Sequence, residues 1–202
     1  MCAKGKNRMK SHELQPSNIP AIKGLLAHGP NPEMAEKLML FGQFVGDWDI
    51  LEDRFYDSNG TRSLEENLTR GELHWGWVLD GRAVQDVWMS IDEKTGRAKS
   101  EGTTIRFYDE KIDAWQSIWI SPTQGSVKKF VARQVGDEIV LEGKTTDGYP
   151  LRWIFSDITP NSFRWRAEES RDDGKDWTIR EEMQIRRRQQ SQGSEITGLL
   201  DG

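Results

Sequence analysis

The sequence predicts an all-β fold, a closed antiparallel barrel of about ten strands with a short N-terminal helix, on three observations. From residue 45 to residue 188 short runs alternate apolar and polar side chains, the period of a half-buried strand. Between the runs fall DSNG, LDG, DEKTG, YDEK, SPTQG, QVGD, TTDG, DITPN and RDDGK, segments rich in residues that suit tight turns. The runs are too many, and too directly joined, for one comfortable open sheet, and closure removes the exposed edges.

In chain order, residues 1–31 form a polar N-terminal segment. A helix follows over about 32–43, with Asn31 as cap, Pro32 in the first turn, and Met34, Leu38, Met39, Phe41 and Phe44 at helical spacing. Strands are expected at about 46–56, 65–79, 82–91, 101–108, 113–121, 126–133, 137–143, 149–157, 161–170 and 175–187. In the second, Leu73, Trp75, Trp77 and Leu79 share one face and His74, Gly76 and Val78 the other. The last three alternate most cleanly: Leu151, Trp153 and Phe155, then Phe163, Trp165 and Ala167, then Trp177, Ile179, Met183 and Ile185 point inward, opposite an Arg- and Glu-rich solvated face. Residues 32–188 thus make one barrel domain with its helix, and 189–202 a flexible tail.

Composition excludes several classes. The net charge of -5, from 28 basic and 33 acidic side chains, argues against broad attraction to nucleic acid or anionic lipid. Nine tryptophans supply large apolar area despite a mean hydropathy of -0.74. There is neither a secretory pattern nor a window approaching the ~18 apolar residues of a membrane span, so a soluble cytoplasmic protein is expected. Three scattered histidines and the single Cys2 make no metal cluster, and no phosphate loop or Gly-x-Ser-x-Gly elbow is present, so no metal or cofactor is expected.

FVGDWDI, residues 44–50, resembles the Gly-x-Trp opening of lipocalin-like, or calycin, barrels. GELHWGWVLDGRAVQDVW, GTTIRFYDEKIDAW and FRWRAEESRDDGKDW are similar to an uncharacterised bacterial lipocalin-like family, over most of residues 40–187. The resemblance implies a lipocalin-like barrel in which Trp48 packs at the closed end beneath a last-strand arginine. Arg187 is the match, with Arg186 or Arg188 serving if a bulge shifts the register. The haem-binding nitrobindin barrels carry their ligand histidine late in the chain, whereas the histidines here are His12, His28 and His74.

The candidate site is then a pocket with polar exceptions on its lining. Glu181 shares the apolar face of the last strand, where a carboxylate needs a partner or takes a raised pKa, unless a bulge turns it outward. Gln85, in phase with Ala83, Val87 and Met89, and Gln116, in phase with Ala114, Ile118 and Ile120, are expected to enter the cavity, and Glu52 shares the Trp48 face. Trp75, Trp77, Trp153 and Trp165 are candidate walls against an aromatic ligand. The expected role is binding of a small apolar or aromatic molecule inside the barrel. The alternatives are a cofactor-independent isomerase, lyase or cyclase using Glu181, with His74 second, and a structural or interaction protein. His74, Val78, Val84 and Trp88 suggest an outward apolar strip that would serve a homodimer.

Overall fold

A computed structural model describes residues 19–62, 70–92 and 94–189. The polar segment expected over 1–31 is therefore seen only from Ile19. Residues 65–69 of the expected second strand, and the expected tail beyond Gln189, lie outside the described residues. Two helices precede the barrel, α1 (Pro20–Leu25) and α2 (Ala35–Gly42). The second is entered through a 3-10 turn at Pro32–Met34, where the Asn31 side chain accepts a hydrogen bond from the Glu33 N–H at 3.1 Å. The first is an addition to the expected polar segment. Pro20 presets its opening turn, and backbone hydrogen bonds from Leu79 to Leu25 and from Ala27 to Trp77 fasten its exit to the barrel.

Ten strands follow the alternating runs: β1 (Gly46–Phe55), β2 (Gly71–Val78), β3 (Ala83–Ile91), β4 (Ala98–Asp109), β5 (Ala114–Ser121), β6 (Ser126–Val135), β7 (Glu138–Lys144), β8 (Pro150–Ser156), β9 (Ser162–Glu169) and β10 (Thr178–Arg187). Each pairs antiparallel with its neighbours in sequence, and β1 closes the barrel by pairing with β10 as well as β2. From β2 onward short connections join consecutive strands and leave this up-and-down order as the direct solution.

One end of the barrel is plugged. Leu38, Phe41 and Phe44, from α2 and its exit, are almost wholly buried, with the Phe41 ring 4.9 Å from that of Trp115. Trp48 lies beneath the guanidinium of Arg187, 4.0 Å from ring centroid to Cζ, with the two residues paired across the β1–β10 ladder. Arg187 also donates to the carbonyls of Pro160 at 2.7 Å and of Gln43 and Val45 at 2.8 Å. This is the arginine and tryptophan arrangement that the resemblance implies. Gly46 makes room for it: its φ is +125°, and a β-carbon there would stand 2.8 Å from Arg187 Nη1.

The outer wall of β8–β10 carries the expected charges in pairs. Arg152 and Arg166 both donate to Glu168, at 2.5 and 2.8 Å, and Arg164 donates to Glu182 at 2.9 Å. The apolar strip expected over His74, Val78, Val84 and Trp88 does not form. Val84 has no exposed surface, Val78 is buried, and Trp88 lines the interior. The exposed large apolar side chains of the wall are instead Leu51 on β1, Phe107 on β4, Ile120 on β5, and Val127 and Val135 on β6. Among the described residues no helix is long and apolar enough to cross a membrane, and no three His, Cys, Asp or Glu side chains cluster as metal ligands would.

Candidate functional site

The half of the barrel away from α2 encloses a cavity of about 130 Å³. Its walls are largely indole: Trp75 from β2, Trp88 from β3, Trp119 from β5, Trp153 from β8 and Trp165 from β9. Phe55, at the end of β1, and Gln124 and Lys128, at the β5–β6 turn and just after it, mark the end away from the helix.

Two bulges in adjacent strands set the polar part of the site. In β10 the register shifts between Ile179 and Glu181, so that Ile179 pairs with outward Glu168 while Glu181 pairs with inward Ala167. Glu181 therefore keeps its expected place on the cavity. Trp177 and Ile179 do not, and the Trp177 ring sits outside, 4.0 Å from the guanidinium of Arg152. In β1 the register shifts between Ile50 and Glu52, with Leu51 displaced outward, 40 % exposed. The shift turns Glu52 to the outer face, where it binds Arg54, and brings Asp53 inside at 1 % exposure.

Asp53 and Glu181 form a carboxyl pair. Neither Asp53 oxygen has a hydrogen bond of regular geometry, and its charged neighbour is Glu181. Burial first, then the negative charge of Glu181, pushes Asp53 up to about 8. Burial likewise pushes Glu181 up to about 7, against the Lys128 ammonium and the proton that Asp53 can offer, both of which pull it down. Two close carboxyls inside the barrel wall cannot both be charged cheaply, so near neutrality they hold a proton between them.

On the facing side, Asp86 and Arg106 make an ion pair with side-chain exposures of 4 % and 3 %. The guanidinium lies 4.5 Å from the Trp75 ring centroid and 5.1 Å from that of Phe41, linking the cavity floor to the plug. Burial raises the Asp86 pKa, and Arg106 opposes the shift.

The remaining expected residues lie elsewhere. Gln85 and Gln116 do not enter the cavity: both stand on the outer wall, where Gln85 donates to Thr103 at 2.9 Å and Gln116 to Asp109 at 3.2 Å. Four-residue connections, 79–82 and 110–113, pair Val78 with Ala83 and Asp109 with Ala114. Partners share a face, so inward Trp75 and Trp77 place Asp86 and Val84 inside, not Gln85. Trp77 is inward but fills the plugged end, its ring against Gly42. His74 points outward, with Asp47 at 2.6 Å and Glu72 at 3.0 Å. Burial lowers its pKa, but the two carboxylates outweigh that and leave it raised.

Fold and site together define a closed up-and-down antiparallel barrel of ten strands, plugged at one end and hollow toward the other. No protein-family model matches the chain, and no curated protein does. Among solved structures it is similar to the S-type phycobiliprotein lyase CPES from Guillardia theta, with 13 % identity and a TM-score of 0.48, over 76 % of this chain and 92 % of that one. It is also similar to a de novo designed fluorescence-activating β-barrel, with 18 % identity and a TM-score of 0.29, over 73 % of this chain and 94 % of the design.

Proposed function

We propose that the barrel binds a small, mainly apolar or aromatic molecule in its cavity, with Trp75, Trp153 and Trp165 as apolar contacts and Glu181 as the anchor for a polar group. The carrying observation is the cavity of about 130 Å³, walled by indoles and bearing the Glu181 carboxyl on one side, with Asp53 next to it in the wall. For scale, an engineered apolar protein cavity of about 150 Å³ accepts a benzene ring. The test is indole fluorescence titration with monocyclic compounds, joined to mass spectrometry of ligands extracted from the purified protein. Saturable quenching that is lost on Trp153→Ala and altered by Glu181→Gln supports the reading, and no binding by any compound class overturns it.

One observation favours a second reading, a cofactor-independent isomerase, lyase or cyclase. A carboxyl held near pH 7 inside an apolar cavity is poised to give and take a proton, and Asp53 would restore it after each transfer. His74 has no part in this chemistry, because it stands on the outer wall. On this reading Glu181→Gln retains binding and loses turnover, since the amide keeps the shape without an exchangeable proton of useful acidity.

A further inference from the structure

Four of the cavity tryptophans stand in unbroken succession around the wall. Trp88 and Trp119 have centroids 6.3 Å apart at 51°, Trp119 and Trp153 6.0 Å at 73°, and Trp153 and Trp165 5.2 Å at 69°. Rings inclined so steeply adjoin like the sides of a box. The π-face of an indole is electron-rich and attracts cations within about 6 Å of its centroid. The protein already shows this attraction, for Lys128 Nζ lies 5.7 Å from the Trp153 centroid.

The charges around the cavity complete the pattern. Asp86 and Arg106 neutralise each other on the floor. Glu181 is faced by Asp53 from β1 and Lys128 from β6, while its β9 partner is Ala167. Two carboxyls against one ammonium leave this side one positive charge short. The shared proton supplies that charge in the empty barrel, and a cationic guest can supply it instead. The four walls of the box are indole faces, which offer no hydrogen-bond acceptor, so an alkylated nitrogen, with no N–H to satisfy, suits them better than a primary ammonium.

Resting on the cavity-binding reading above, we propose that the guest is a monovalent organic ammonium ion with an alkylated nitrogen, seated among Trp88, Trp119, Trp153 and Trp165 and balanced by Glu181 and Asp53. It enters in place of the shared proton. Lys128 stays beside Trp153 as the counter-charge of the second carboxylate.

The experiment compares choline with its uncharged carbon isostere 3,3-dimethylbutan-1-ol on the full chain, by isothermal calorimetry and indole fluorescence. Choline is expected to bind at least about tenfold more tightly, the low end of a desolvated charge-assisted contact. Glu181→Gln should remove most of that preference, and Lys128→Gln should strengthen choline binding while leaving the alcohol unchanged. Should the Glu181 variant fail to fold, proton release decides: at pH 7, choline binding to the wild type must release protons, seen as a dependence of the heat on buffer ionisation enthalpy. Equal binding of the two probes, no proton release, or binding of neutral aromatics alone would overturn the ammonium assignment and leave the cavity-binding reading intact. Failure of every compound to bind would remove both.

Discussion

Ionising the Asp53–Glu181 pair should draw directly on the stability of the barrel. Both carboxyls have folded-state values above their ordinary ones, about 8 against 3.8 and about 7 against 4.5. The native state therefore holds protons that the unfolded chain has already released. Stability is greatest below about pH 4.5 as far as this pair is concerned, and it falls as pH rises through 7 to 8. Counting the Asp53 proton alone, displaced from 3.8 to about 8, the loss is about 6 kcal/mol at ~1.4 kcal/mol per unit. Asp53→Asn removes one acid from the pair and gives the Glu181 carboxylate an N–H donor. Urea midpoints measured from pH 5 to pH 8.5 should decline for the wild type and decline much less for the variant. The variant should be the more stable protein at the alkaline end. A wild-type stability that is flat or rising over that range, or a full decline retained in Asp53→Asn, would refute the pairing.

Other perturbations separate the parts of the barrel. Arg106→Met strands Asp86 in the interior and should cost about 3–5 kcal/mol, most of it recovered by adding Asp86→Leu, as read from thermal or chemical denaturation. Gly102→Ala places a β-carbon against the Trp119 indole and 2.8 Å from the Ile120 carbonyl, so about 1–3 kcal/mol of overpacking should appear together with weakened ligand binding. Arg187→Lys keeps a charge but cannot reach three carbonyls from one planar group, and should lower stability by about 2 kcal/mol without altering ligand affinity. His74→Asn should leave ligand affinity unchanged. It should also remove a stabilisation present below pH 6.5 and lost as pH rises through the raised imidazole value.

The fold was legible because turn chemistry and alternation are local. All ten strands follow the runs expected for them, and in β8 and β9 the inward sets agree, Leu151, Trp153 and Phe155 and then Phe163, Trp165 and Ala167. Sidedness was harder where both faces of a strand are apolar. In β5 the indoles of Trp115 and Trp119 take the interior and leave Ile118 and Ile120 to the wall, so Gln116 goes outward with them. In β3 the face is inherited from β2 through the length of the intervening connection, which periodicity within β3 does not contain. Asp53 escaped the sequence reading because of a bulge, whereas Asp86 does share a face with Val84 and Trp88, as its alternation says, and only the side of that face, inherited from β2, was read as outward. Glu181 was found because its strand alternates correctly from the bulge onward.

The two bulges behave like frameshifts in a reading frame with only two letters, in and out. Leu51 and Arg180 are the inserted characters, and everything downstream is read in the other frame until the strand ends. Deleting Leu51 or Arg180 therefore heals the ladder while every neighbour keeps its side. A chain of unchanged length whose β1 ladder ran without the bulge would put Glu52 inside and Asp53 on the surface. Related barrels of nearly identical composition can thus differ in whether they contain a buried carboxyl pair at all, through the placement of one residue that touches nothing in the cavity.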